Sequence, residues 1–134
     1  MQDKLKERKK RELAKAILQE ILAITEKELE NFIVEMLKSI KPEHLKTAIE
    51  KNIDPFDFLI SKIQDNPYLL GVTKFALKKF WKIIVKYLQP KILYNILSQN
   101  PENKKLLDTP EGRRWLNEMC KKVYDKLYYW VWLT

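Results

Sequence analysis

The chain has 134 residues, of which 46% are hydrophobic and 33% charged, and its net charge is +8 at pH 7. This composition indicates one folded domain, and two glycines are too few for the turns of an all-β fold. A single cysteine, Cys120, excludes an internal disulfide and a cysteine-based zinc site, and a single histidine, His44, excludes a paired-histidine metal site.

The charge is unevenly distributed along the chain. Residues 1–15 contain seven basic and three acidic residues, residues 16–70 contain six and ten, and residues 71–134 contain thirteen and five. The three net charges are therefore +4, −4 and +8, which sum to the total. The two basic parts predict attraction to a polyanion, and the acidic middle allows one copy to attract a basic part of another.

A first helix is predicted over residues 3–24, and it begins as a basic arm. A segment that is polar all round has no face to pack on a core. We therefore expect residues 1–15 to project from the fold or to be held by something outside it, and residues 16–134 to form a single helical-bundle domain. The cations of the arm point in every direction around the helix axis: Lys4, Lys6, Arg8, Lys9, Lys10, Arg11 and Lys15.

Local signals divide the rest of the chain into helices. Thr25 with Glu28 three residues later is typical of a capping box, which predicts a second helix over residues 25–40. Each of the six prolines precedes a helical pattern, which predicts helices over residues 42–51, 55–65, 67–88, 90–98, 101–107 and 110–132. No stretch alternates like a strand. The predicted fold class is all-α, a helical bundle with a long basic N-terminal helical arm. Four of the prolines follow a residue of N-cap type, namely Asp54, Asn66, Asn100 and Thr109.

The stretch from Asn66 to Lys91 is expected to organise the chain, because its long helix combines a wide apolar face with a basic one. No carboxylate occurs between Asp65 and Glu102. Like charges four residues apart repel, so an unmixed basic row favours an extended anionic partner, although a face that only keeps the protein in solution accounts for it equally well. The row consists of Lys74, Lys78, Lys82 and Lys86.

The last predicted helix has two further features. Arg113 and Arg114 lie in its first turn, where they oppose the helix dipole, so we expect them to meet phosphate or a carboxylate of a neighbouring molecule. Its end is apolar on all sides, which predicts a contact with another molecule or a membrane surface, against the alternative that it caps a small core. The aromatic candidates for this interface are Tyr128, Tyr129, Trp130 and Trp132.

No arrangement of residues points to catalysis. Gly71 and Gly112 are isolated, so the sequence has no phosphate-cradling glycine loop. Carboxylate pairs such as Glu26 with Glu30 fit an exposed acidic face better than an acid–base pair. We therefore expect no enzyme activity, no metal, no cofactor and no small-molecule substrate. We also expect no signal peptide and no membrane span, since no apolar run approaches about 20 residues, and we expect Cys120 to be a buried structural thiol.

In its length, its basic helical arm followed by a bundle, and its aromatic C-terminal end, the chain resembles coat proteins of filamentous and rod-shaped archaeal double-stranded DNA viruses. This resemblance is one of architecture and carries no residue motif. It implies that many copies polymerise along double-stranded DNA in the virion, with or without a second coat protein. It also implies an arm clamped against the duplex, a lysine-rich inner surface, and aromatic contacts with other subunits or a lipid envelope.

Two other classes of function stay open. The chain could be a small helical subunit of a cytoplasmic nucleoprotein complex, such as a CRISPR effector or a plasmid replication complex, which would bind in a small fixed number. It could also be a helical protein-interaction module whose lysines serve only solubility, which would bind no nucleic acid.

Overall fold

The computed structural model describes residues 2–134, so Met1, the first residue of the predicted arm, lies outside the described range. Within that range the chain forms helices only, which confirms the predicted all-α bundle. The nine helices of residues 2–134 are α1 (Gln2–Ala23), α2 (Glu26–Lys38), α3 (Pro42–Lys51), α4 (Pro55–Ile63), α5 (Pro67–Lys79), α6 (Trp81–Tyr87), α7 (Pro90–Leu97), α8 (Pro101–Leu107) and α9 (Pro110–Trp132).

The helix starts follow the predicted capping chemistry. Proline occupies the first turn of α3, α4, α5, α7, α8 and α9. A side-chain oxygen of the residue before the helix accepts a hydrogen bond from a backbone N–H of the first turn, which satisfies a donor that the helix itself leaves open. The predicted caps that do this are Thr25, Asp54, Asn66, Asn100 and Thr109.

The prediction of a single helix over residues 67–88 is wrong, because the chain leaves the helical conformation at Phe80. Phe80 has φ −108° and ψ 26°, and it separates α5 from α6. Neither glycine nor proline stands at the break, so nothing in the local sequence announces it. Phe80 is only 5% exposed, so its side chain is buried where α5 and α6 meet.

The helix at the centre of the fold is α9, rather than the stretch from Asn66 to Lys91. It packs against α3, α4, α5, α7 and α8. The predicted burial of Cys120 is confirmed at 2% exposure, and the same burial raises the pKa of its thiol to about 11. The main cluster of the core joins three residues of α9 to α3, α7 and α8, and consists of Leu45, Leu93, Leu97, Leu107, Trp115, Leu116 and Cys120.

Helix α1 packs along α5, so the expectation that residues 1–15 cannot dock on the fold is wrong. The Nδ2 atom of Asn66 donates to the backbone oxygen of Lys10 at 3.2 Å, while its Oδ1 atom caps α5 by accepting from the N–H of Leu69 at 3.1 Å. Ala14 is buried against the bundle. The docking uses a carbonyl, polar groups and one small side chain, and an apolar periodicity does not reveal such a contact. Helix α1 continues through residue 15, so the division into arm and bundle stays a prediction based on charge.

The two glycines provide a matched test of packing. A Cβ atom on Gly112 would lie 2.0 Å from the carbonyl oxygen of Leu106, whereas a Cβ atom on Gly71 would meet nothing within 4 Å. We expect Gly112→Ala to lower the free energy of unfolding by about 1–3 kcal/mol through overpacking, and Gly71→Ala to raise it by about 0.5–1 kcal/mol through helix propensity. Denaturant unfolding of both variants measures this difference. Equal effects would show that the backbones of α8 and α9 do not approach each other closely at Gly112.

Candidate nucleic-acid interface

One side of α1 carries a row of exposed cations. Positions 4, 8, 11 and 15 are three or four residues apart, so they lie on one side of the helix, and the row is roughly 17 Å long at 1.5 Å per residue. Lys10 is half-buried towards α5, and Lys6 and Lys9 are exposed elsewhere on α1. The α1 basic row consists of Lys4, Arg8, Arg11 and Lys15, all exposed.

The cations of the α1 basic row are only lightly neutralised by the protein itself. Arg8 Nε lies 3.1 Å from Glu12 Oε1, an exposed pair that contributes little stability. Arg11 lies beside Tyr68: its guanidinium is 3.4 Å from the hydroxyl and 5.4 Å from the ring centroid, and the hydrogen bond with Tyr68 raises the pKa of Arg11. Within residues 2–134, no other cation of α1 has a carboxylate within 4 Å. The row can therefore meet several anionic groups at once.

The predicted lysine row of residues 74–86 does not form one continuous surface. Lys86 donates to Glu30 Oε1 at 2.8 Å, and this hydrogen bond lowers the pKa of the Glu30 carboxyl. Lys74 is half-buried and donates to the hydroxyl of Thr134 at 3.2 Å. Lys78 and Lys82 are exposed, and within residues 2–134 neither has a carboxylate within 4 Å. Part of the basic half thus meets the acidic middle inside one molecule.

Carboxylates of the same molecule also lie near the two arginines at the start of α9. Arg114 lines a groove of about 580 Å³ together with Glu50 and Glu118. Arg113 lies near Asp108, whose pKa is lowered mainly by a hydrogen bond from Lys104 and in part by Arg113. Both arginines are exposed, and within residues 2–134 neither forms an ion pair closer than 4 Å. Their placement is therefore understandable without a phosphate.

The aromatic end of α9 is divided between the bundle and the surface. Val131 is 1% exposed, so this end is not apolar surface on all sides. Trp130 is half-buried, with its ring centroid 6.1 Å from that of Phe56 on α4. The remaining candidates are exposed, at 42% for Tyr128, 61% for Tyr129 and 46% for Trp132.

The fold brings the lysines of α5 and α6 to the aromatic end of α9, which the sequence analysis treated as separate features. Lys78 Nζ lies 5.7 Å from the centroid of the Trp132 ring, and Trp81 lies 5.8 Å from the same ring, edge to face. Sequence reasoning missed Trp81, although its position between two lysines of a basic stretch was a usable signal. A groove of about 350 Å³, here called the Lys–Trp groove, is lined by Glu26, Lys78, Lys79, Phe80, Trp81, Lys82, Ile83 and Trp132.

A partly buried ion pair joins the start of α4 to α9. Lys126 Nζ donates to Asp54 and, at 3.1 Å, to Asp57. Burial alone would raise the pKa of Asp54, but the hydrogen bonds from Lys126 and from the N–H of Phe56 outweigh it and lower that pKa. Lys126 is therefore neutralised within the molecule, as Lys86 and Lys104 are by Glu30 and Asp108.

We expect Asp54→Asn to make the free energy of unfolding less dependent on pH in the acidic range. A carboxyl with a lower pKa in the folded chain stabilises the fold above its unfolded-state pKa of about 3.9, and that contribution is lost as pH falls through the folded-state pKa. The asparagine keeps a capping oxygen but loses the charge. The thermal midpoint should be roughly 2–5 °C below that of the parent at pH 7 and should converge with it near pH 2. Asp57→Asn, at a more exposed partner of the same lysine, should cost less, and a pH-independent deficit for Asp54→Asn would contradict the assignment.

Other properties bear on the possible partners. Among the helices of residues 2–134, none is long and apolar enough to span a bilayer. The same residues contain no group of three or more histidine, cysteine, aspartate or glutamate side chains placed to hold a metal ion. Comparison of the chain with protein-family models, with curated proteins and with solved structures found no match.

Proposed function

We propose that this protein is a structural nucleic-acid-binding protein, many copies of which coat double-stranded DNA through contacts with the phosphate backbone. The observation that carries the proposal is the α1 basic row, four exposed cations along one side of a helix that is docked on α5. A role as a viral coat protein in the virion is the form of this function that the architectural resemblance suggests.

The docking of α1 supports backbone binding because it orders the cations in advance. The hydrogen bond from Asn66 to the Lys10 carbonyl and the contact of Arg11 with Tyr68 hold the helix against the bundle. Groups that are ordered before binding lose less conformational freedom when they bind. Arginine and lysine in a regular row suit phosphates, whereas base recognition in a groove usually also employs amide or carboxylate side chains. We therefore expect binding without sequence preference.

We expect the affinity for duplex DNA to fall steeply with salt and to depend on the α1 basic row. If about six phosphates are neutralised, log K should fall against log[salt] with a slope of roughly −5. Replacing Lys4, Arg8 and Lys15 by glutamine removes three of these contacts, so the slope should become less steep by about 3. Fluorescence anisotropy with a closed-end hairpin duplex at several salt concentrations provides the measurement.

A matched control separates local contact from net charge. Replacing Lys38, Lys41 and Lys51 by glutamine removes the same charge from exposed positions around α2 and α3. This control should retain most of the affinity and nearly the full slope. If both triple variants behave alike, only the total charge matters and α1 is not the binding surface. A slope near zero for the parent protein would leave the interaction-module alternative in place.

Coating also requires contact between copies, and two residues at the C-terminal end of α9 are suited to it. Tyr129 and Leu133 are four residues apart and are 61% and 62% exposed, and exposed apolar side chains of this kind mark contact sites when they are adjacent. We expect replacement of both by serine to leave the melting of the dilute protein nearly unchanged. It should raise the protein concentration needed for co-sedimentation with DNA at least about tenfold, as for interface anchors.

The control for this assembly test is the pair Phe32 and Met36 on α2, which has the same spacing and is 63% and 49% exposed. Their replacement by serine should leave co-sedimentation unchanged. Equal loss in both variants would indicate a general effect of surface apolarity. A small fixed number of copies per DNA, independent of DNA length, would favour a subunit of a nucleoprotein complex over a coat.

A further inference from the structure

No residue of α1, the helix of the proposed duplex contacts, lines the Lys–Trp groove. It lies where α5, α6 and the end of α9 meet, and its volume of about 350 Å³ falls within the range of about 300–1,000 Å³ typical of small-ligand sites. Its lining combines two indole rings with three lysines, which favour different parts of a ligand.

The aromatic residues of the groove present an indole that is already held in place. Trp132 is 46% exposed and meets Trp81 at 5.8 Å with an interplanar angle of 85°. Trp81 is in turn held by Tyr124 at 6.0 Å and Tyr128 at 6.2 Å. A braced aromatic surface can stack on a planar base without first losing much conformational freedom.

The lysines of the groove keep hydrogen-bond donors that the protein does not use. Lys82 is exposed, and within residues 2–134 it has no carboxylate within 4 Å. Lys79 uses one of its three donors on the Ile21 carbonyl at 3.3 Å and lies 5.2 Å from the centroid of the Phe80 ring, while Lys78 lies over the Trp132 ring. Glu26 is the one carboxylate among the residues that line the groove, so three cations face one anion there. The groove therefore attracts an anion beside an aromatic surface.

We infer that the Lys–Trp groove binds one unpaired nucleotide of a single-stranded nucleic acid, with its base on Trp132 and its phosphate at Lys82 and Lys79. A duplex keeps its bases stacked inside and offers only the phosphate, and a free phosphate would make no use of the indole. The inference goes beyond the proposed function and does not depend on duplex binding by α1.

The test compares binding of a fluorescein-labelled thymidine oligonucleotide of about ten residues with binding of the closed-end hairpin duplex. Trp132→Leu should weaken oligonucleotide binding about fivefold to hundredfold, the effect of losing one stacked base, without changing the salt slope. Lys82→Gln should instead make that slope less steep by about 0.7, the value for one phosphate contact on a single strand. Duplex affinity should stay within about twofold for both variants.

Phe32→Leu is the matched control, because it removes a more exposed aromatic ring, at 63%, from α2 and outside the groove. It should bind the oligonucleotide as the parent does, and a loss equal to that of Trp132→Leu would overturn the inference. Unchanged binding by Trp132→Leu would also overturn it. If Trp132→Leu melts early, Lys82→Gln decides, since an exposed lysine is not needed for folding, and an unchanged slope refutes the site.

A combined variant keeps this inference separate from the proposed function. Trp132→Leu added to the triple glutamine variant of Lys4, Arg8 and Lys15 should weaken oligonucleotide binding by the same factor as in the parent. Loss of duplex binding in that background tests α1 alone. Failure of the Trp132 effect in both backgrounds refutes the groove and leaves the α1 result standing.

Discussion

Burial of one face of α9 is the interaction on which the rest of the structure depends. Helices of seven to thirteen residues make up most of the bundle, and helices this short are marginal in water unless a neighbour covers their apolar face. Helix α9 supplies that neighbour to five of them, and each fully buried aliphatic side chain contributes about 1.5–3 kcal/mol. The buried residues of α9 are Gly112, Trp115, Leu116, Cys120, Val123, Leu127 and Val131.

Two buried amide side chains then add polar contacts between elements that are distant in sequence. Asn66 caps α5 with its oxygen and holds the Lys10 carbonyl of α1 with its nitrogen. Asn103 is 1% exposed and donates to the carbonyl of Ile40 at 3.0 Å, which ties the end of α2 to α8. Losing either contact would leave a buried N–H donor unpaired, which is costly, and the Oδ1 atom of Asn103 already has no hydrogen-bond partner among the described residues. The orientation of the α1 basic row follows from this polar docking.

Two groups of cations differ in their surroundings, although Arg8 of the α1 basic row also pairs with Glu12 on its own helix. Lys86 and Lys126 pair with Glu30 and Asp54 and connect helices within the molecule. The α1 basic row and the lysines of the Lys–Trp groove lie at the surface and remain available to an anionic partner. The net charge of +8 is therefore a poor guide to the binding surface, since it counts both groups alike. The proposal for duplex binding and the inference about the groove depend on the second group only.

The sequence by itself determined the fold class, the helix starts and the buried thiol of Cys120, because proline, the capping oxygens and apolar periodicity act within a few residues. Only the tertiary structure decided the break at Phe80, the docking of α1 and the meeting of Lys78 with Trp132. Asn66 and Lys10 are 56 residues apart in the chain, and no local pattern encodes such a contact. The position of the α1 basic row and the existence of the Lys–Trp groove therefore depend on how the helices pack around α9.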